Sequence, residues 1–252
     1  MGLFDGDSAD DFATRRETMV DRLLEHGRIT EPAVADALRA VPRHEFVPAN
    51  RQSEAYADRP LPIGDGQTIS APHMVGIMAE LLDVGSASDA AGDTRDTGDG
   101  DDAADAGDFG DAPNSDTESD AGLSVLEIGT GCGYHAAVTA ELLGDAGTLY
   151  SVEYSADLAE RARSTFDRLG YDVRIRVGDG AEGWSEHAPY DAAYLTCAAE
   201  LLPDPIAEQT AVGGRIVAPI GSSSQTLYRY TKREDGTLDH ENHGGVRFVQ
   251  MR

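Results

Sequence analysis

The chain has 252 residues, 40% of them hydrophobic, and a formal net charge of −26. That length holds one sizeable α/β domain with additions, or two small ones, and no apolar run approaches the roughly eighteen residues that span a membrane. The first residues, Met1-Gly-Leu-Phe-Asp-Gly-Asp7, are acidic and lack a secretory pattern. Gly2 would suit myristoylation, but Gly6 stands where Ser or Thr is wanted, so the chain reads as cytoplasmic.

The acidic side is 29 Asp and 17 Glu; the basic side is 19 Arg and a single Lys, Lys232. Abundant Asp with almost no Lys resembles proteins that work in molar salt, where a Debye length of about 3 Å screens self-repulsion. The charge also weighs against nucleic-acid binding, which wants a basic groove. Cys132 and Cys197 stand in apolar surroundings and read as reduced, buried thiols. Two cysteines make no zinc site, and no histidine pair has metal-ligand spacing.

Residues 1–10 read as frayed. From Asp11 to His26, the apolar positions Phe12, Met19, Val20, Leu23 and Leu24 recur at helical spacing. Thr30-Glu-Pro-Ala predicts a second helix running to Arg39, with Thr30 as N-cap and Pro32 in the first turn. Residues 41–48 then read as an extended connector, residues 49–70 as ordered loop, and His73 to Asp83 as a third helix. Residues 85–122 contain twelve acids, one Arg and one aromatic, Phe109; such a segment buries too little apolar surface to offset its ordering entropy and is predicted to be disordered.

Strand and helix then alternate. Strands are expected at 125–128, 148–153, 173–177, 190–196, 214–219, 225–231 and 246–251, with helices at 135–143, 156–169 and 201–210. This order predicts a Rossmann-like α/β fold: a doubly wound, mostly parallel sheet with helices on both faces and an N-terminal helical extension. Residues 1–83 would form that extension, 84–122 an acidic insertion and 123–252 the core of one integrated domain.

Gly129-Thr-Gly-Cys-Gly133 follows an apolar strand and precedes a helix, where glycines let the backbone turn sharply and approach a ligand. Glu153 ends the next strand, 24 residues after Gly129, placed to accept hydrogen bonds from ribose hydroxyls. The Gly-x-Gly-x-Gly spacing differs from the Gly-x-Gly-x-x-Gly that seats a pyrophosphate. It resembles the first motif of class I methyltransferases, which implies S-adenosyl-L-methionine, a cofactor without phosphate. Asp179, ending the third core strand, matches an acid near the adenine, with a turn residue before Gly180 as the alternative.

A more specific resemblance runs from about Ile29 onward, outside the acidic insertion. Val41-Pro-Arg-His-Glu-Phe-Val-Pro48, Pro60-Leu-Pro-Ile-Gly64, Gln67-Thr-Ile-Ser-Ala-Pro-His73, Leu126–Ala136, Val177-Gly-Asp-Gly180, Ala188-Pro-Tyr-Asp191, Gly213-Gly-Arg215 and Val246-Arg-Phe-Val249 are similar in order and spacing to protein-L-isoaspartate O-methyltransferases. The resemblance implies repair of damaged proteins by methyl transfer to the α-carboxylate of L-isoaspartyl residues; the ester then cyclises to a succinimide without the enzyme. It implies Ser70 as the active-site serine, and Thr68, Ile69, Ser70, Gly129, Gly131, Gly133, Glu153, Tyr154, Asp179, Gly180 and Gln225 on the cofactor side. Expected partners are flexible protein or peptide substrates, with no nucleic acid, no membrane, no metal and a monomeric enzyme. Ser70 also suits a helix N-cap ahead of Pro72, and His73 and His135 read as packed or supporting histidines. Another class I methyltransferase, or a non-catalytic binder of modified segments, would share the glycine loop.

Overall fold

The computed structural model describes residues 9–84 and 122–252. The frayed start and the acidic insertion lie outside the described residues, apart from Ala9, Asp10, Val84 and Gly122. Helix α1 (Ala9–Glu25) carries Asp10 and Asp11 in its first turn, where the helix dipole favours negative charge, and buries Phe12, Met19, Val20 and Leu23. Helix α2 (Pro32–Ala40) begins at Pro32, with Glu31 rather than Thr30 in the cap position and no side-chain cap bond. The expected Thr30 cap is replaced from outside: the backbone N–H groups of Thr30 and Glu31 both donate to the Glu80 carboxylate of helix α3 (Pro72–Leu82). A carboxylate from another helix thus satisfies groups that local chemistry leaves open.

Two segments read as irregular contain regular structure. Arg43–Phe46 and Ala49–Glu54 form 3-10 turns. Residues 61–69 form an antiparallel hairpin of β1 (Leu61–Gly64) and β2 (Gln67–Ile69), with Leu61 opposite Ile69. Its strands are shorter than a periodicity argument needs, and Pro62 and Gly64 hide them further. Arg43 is fully buried, donates Nε–H to the Ala55 carbonyl at 2.8 Å and stands over the Tyr134 ring at 4.7 Å.

The central sheet has seven strands in the order β5-β4-β3-β6-β7-β8-β9. These are β3 (Ser124–Ile128), β4 (Thr148–Glu153), β5 (Val173–Val177), β6 (Tyr190–Leu195), β7 (Thr210–Ile220), β8 (Gln225–Lys232) and β9 (Leu238–Val246). Strands β5 to β7 pair in parallel, whereas β8 is antiparallel to β7 and β9 to β8. Helices α4 (Tyr134–Leu143) and α5 (Ala156–Leu169) pack with the N-terminal helices on one face; the six-residue helix α6 (Asp204–Gln209) covers part of the other. Alternate residues of β3 feed the two cores: Val125 packs into the first, Leu126 and Ile128 into the second.

Two expected elements shift. The helix predicted over 201–210 is confined to Asp204–Gln209, because Thr210 already begins β7. The last strand is 238–246 rather than 246–251. Residues 249–251 instead lie against the turn after β6, where the Ala198 N–H donates to the Val249 carbonyl and the Met251 N–H to the Ala198 carbonyl, both at 2.8 Å. The sheet order reverses between β4 and β6 on either side of β3, so a crevice opens beyond the carboxyl end of β3, where open α/β sheets bind ligands. Gly122 leads into the opposite, amino end of β3.

Candidate active site

The crevice is a cleft partly open to solvent. Its floor is the loop between β3 and α4. Gly129, Gly131 and Gly133 have φ of +95°, +56° and +92°, conformations that suit glycine. The Thr196 hydroxyl, just past β6, donates to the Gly129 carbonyl at 2.5 Å, and a Cβ on Gly129 would collide with that same oxygen. Tight docking of the loop on β6 therefore demands the first glycine.

Glu153 at the end of β4 is buried in the cleft wall. One carboxylate oxygen accepts the Gly131 N–H at 2.8 Å and the other the Ser155 N–H at 2.9 Å. These bonds fix the carboxylate while leaving acceptor capacity on both oxygens. Ser155 also caps α5 through its hydroxyl.

The opposite wall comes from distant parts of the chain. The β1–β2 hairpin brings Thr68, Ile69 and Ser70, and residues 249–252 close the far side. The cap position of α3 is Ala71, with no side-chain cap bond, so Ser70 does not cap the helix. Among the described residues nothing hydrogen-bonds its hydroxyl. Arg252 bonds Asp65 in the hairpin turn, reaching the carboxylate at 3.1 Å and the carbonyl at 2.5 Å. The charged side chains lining the cleft are thus Glu153 and an Arg already paired with an acid. Burial pushes the Cys132 thiol up to about 11 and Cys197 to about 12, so both stay protonated at neutral pH. Burial pushes His135 down to about 3, keeping the imidazole neutral against the Tyr194 ring, 4.5 Å away.

The family profile described as protein-L-isoaspartate(D-aspartate) O-methyltransferase matches residues 14–94 and 117–252. The chain belongs to this family. It is 45% identical over 243 residues to protein-L-isoaspartate O-methyltransferase 2 of Archaeoglobus fulgidus, covering 96% of this chain and 94% of the relative. It is 41% identical to the Methanothermobacter thermautotrophicus protein-L-isoaspartate O-methyltransferase, covering 94% of each. A solved protein-L-isoaspartate O-methyltransferase matches with a TM-score of 0.74 at 28% identity over 94% of this chain; that protein is longer, and this chain covers 66% of it. A Plasmodium falciparum structure named for the same family, in complex with S-adenosyl-L-homocysteine, shares the fold at a TM-score of 0.72 and 20% identity, over 94% of this chain and 98% of that one.

Within this family member, the residues expected at the site divide in two. Thr68, Ile69, Ser70, Gly129, Gly131, Glu153, Tyr154 and Gly180 line the cleft. Gly133, Asp179 and Gln225 do not. A Cβ on Gly133 would lie 2.5 Å from Phe166 Cζ, so that glycine lets α4 pack on α5. The Asp179 carboxylate accepts the Ala181 N–H at 2.9 Å and caps a short turn, the alternative its sequence context allowed. The Gln225 amide grips the Phe248 backbone, donating Nε2–H to its carbonyl at 3.0 Å and accepting its N–H at 2.6 Å. It thereby holds the strand end that leads to residues 249–252. His73 lies outside the cleft, paired with Asp58 at 2.8 Å. Sequence reasoning missed Thr130 and Thr196 as wall residues, of which Thr130, inside the glycine motif, carried a signal.

Proposed function

We propose that this protein is a repair methyltransferase that transfers a methyl group from S-adenosyl-L-methionine to the α-carboxylate of L-isoaspartyl residues in damaged proteins. The observation that carries this reading is the free hydroxyl of Ser70, in the same cleft as the glycine loop and the fixed Glu153 acceptor. The cleft chemistry fits the cofactor. It offers a carboxylate for ribose hydroxyls and no free cation for a phosphate, and its acidic wall suits a sulfonium. Bound there, the cofactor supplies an electrophilic methyl group. Gly129 and Gly131 let the backbone approach it, Glu153 orients its ribose, and Thr68, Ile69, Tyr154 and Gly180 complete its walls.

A substrate carboxylate with a pKa near 4 is already ionised at neutral pH, so the reaction needs no general base. The neutral, buried His135 and the protonated thiols agree with that. Ser70 donates one hydrogen bond to the carboxylate and holds it in line, where alignment is worth several kcal/mol. A neutral donor orients the nucleophile without quenching it as a guanidinium would. The hairpin and residues 249–252 receive the substrate as a flexible segment, and one chain supplies both walls, which supports a monomer. No described helix is long and apolar enough to cross a membrane, which is compatible with work in the cytoplasm. The charge of −26 with a single Lys supports adaptation to molar salt, testable as a melting temperature that rises from dilute buffer to molar KCl.

The test is labelled cofactor with matched Asp and isoAsp peptides in molar salt. Ser70→Ala should keep binding of S-adenosyl-L-homocysteine and lose at least about tenfold in methylation of the isoAsp peptide. Wild-type turnover in that variant would defeat the role of Ser70. Transfer only to other acceptors would indicate a different methyltransferase, and binding without transfer a non-catalytic module.

A further inference from the structure

Five polar side chains form one continuous chain through the sheet directly beneath the glycine loop. Thr139 of α4 donates its hydroxyl to Tyr194 Oη at 3.0 Å, and Tyr194 donates to Glu127 Oε1 at 2.9 Å. From the other side, Ser151 donates to Glu127 Oε2 at 2.5 Å, and its oxygen lies 2.6 Å from Thr130 Oγ1. Glu127, Ser151, Tyr194 and Thr139 are wholly inaccessible to solvent, and only Thr130 reaches the cleft.

Counting protons fixes the direction of this chain. Each hydroxyl has one proton to give. With Glu127 ionised, Ser151 and Tyr194 both give theirs to the carboxylate. Ser151 can then only accept from Thr130, and Thr139 gives its proton to Tyr194. The Thr130 hydroxyl is left with nothing but lone pairs for a ligand. Protonation of Glu127 on the oxygen facing Ser151 lets Ser151 give its proton to Thr130, and the Thr130 proton is then released toward the cleft.

We propose that Glu127 sets the polarity of the glycine loop. Ionised, it makes Thr130 an acceptor for the ammonium group at the amino-acid end of the cofactor. Glu127 touches no ligand and is a positioning residue acting through Ser151 and Thr130. The inference rests on the cofactor assigned above. The groups around Glu127 make the two states accessible near neutrality. Burial, with a smaller push from Glu153 on β4, raises its carboxyl to about 7, against the lowering effect of Ser151 and Tyr194. Tyr194 on β6 is held well above its ordinary value and stays a donor. His135 on α4 stays neutral, and the thiols of Cys132 and Cys197 stay protonated. Glu153 is thus the charged neighbour that acts on Glu127.

The experiment is calorimetric binding of S-adenosyl-L-homocysteine and of 5′-methylthioadenosine, which lacks the amino-acid end, to the full chain across pH. In the wild type, affinity for the first ligand should fall about tenfold or more between about pH 8 and about pH 5.5, while the second changes little. Glu127→Gln, which cannot titrate, should bind S-adenosyl-L-homocysteine without that slope. Ser151→Ala, a small change that cuts the chain with Glu127 intact, should abolish the slope as well. A slope that survives in both variants overturns the inference, as does an equal loss for both ligands. Wild-type protein that binds neither ligand would instead sink the cofactor assignment, and this inference with it.

Discussion

Gly133→Ala tests whether the third glycine of the loop serves packing rather than ligand contact. Two costs are separable. Its φ of +92° lies in the left-handed half of the map, where a Cβ costs about 1–2 kcal/mol. The new methyl would also lie 2.5 Å from Phe166 Cζ and 2.8 Å from Cε1. Phe166 is 2% exposed and packed between Phe46 and Tyr171, so its ring cannot swing away freely. Forcing an extra carbon into such a core costs about 1–3 kcal/mol. The two together predict a loss of about 2–5 kcal/mol, a large part of a typical domain's stability. Urea unfolding in molar salt should show a lower midpoint at unchanged slope. In a Phe166→Leu background the ring is gone, and Gly133→Ala should then cost only the backbone share, about 1–2 kcal/mol. The folded fraction should bind S-adenosyl-L-homocysteine within about threefold of wild type. A loss below about 0.5 kcal/mol, or an equal loss in both backgrounds, would refute the packing role.

Two further outcomes follow from buried polar groups. Gln225→Ala removes both bonds to the Phe248 backbone. It should cost about 1–3 kcal/mol in urea unfolding and speed release of S-adenosyl-L-homocysteine in a stopped-flow chase, by loosening residues 249–252. Stability should also depend on pH through Glu127 and His135, with opposite signs. The folded-state value of Glu127 is raised, from 4.5 to about 7, so its contribution is full below 4.5 and lost as pH rises through 7. Glu127→Gln should therefore gain on wild type by up to about 3 kcal/mol over that window. His135 is lowered from 6.5 to about 3, so its contribution is present above 6.5 and lost as pH falls toward 3. His135→Gln should flatten the acid limb of the stability profile. Gaps that stay constant with pH would contradict both assignments.

The parts of the fold legible in the sequence are those whose cause is local. The strand at Val125–Ile128 is a short buried run, apolar except for Glu127, and α5 declares itself by an amphipathic stripe with Gly170 at its end. The β1–β2 hairpin was illegible because its strands hold four and three residues and are stabilised by what they touch. Arg161 of α5 donates to the Ile63 carbonyl at 3.2 Å, across 98 positions of sequence. The start of α2 departs from local capping chemistry for the same reason, since Glu80 rather than Thr30 receives its N–H groups. At the site, Gly129 and Glu153 follow from a local turn and a strand end. Gly133, Asp179 and Gln225 share the motif or the matching position, yet face neighbours that no local pattern names.

The two walls of the cleft divide the labour of the enzyme. The glycine loop, Glu153 and Gly180 stand on the ends of parallel strands, rigid elements that any member of this sheet architecture offers to a cofactor. The wall opposite them is assembled from residues 67–70 and 249–252, and the latter are held by the Gln225 grip on Phe248, by backbone bonds of Val249 and Met251 to Ala198, and by the Asp65–Arg252 bridge. The Gln225 grip on Phe248 is a pair of neutral, partly buried hydrogen bonds that salt hardly screens. The Asp65–Arg252 bridge is exposed, and at about 1 M salt the Debye length of about 3 Å is no longer than the contact itself. In such a medium the segment stays anchored from Phe248 to Met251, and the tie that weakens is the one between Arg252 and the hairpin turn. The one contact of this wall that salt weakens is therefore the bridge beside the Ser70 hairpin, whereas the glycine loop and Glu153 are tied by neutral backbone N–H donors.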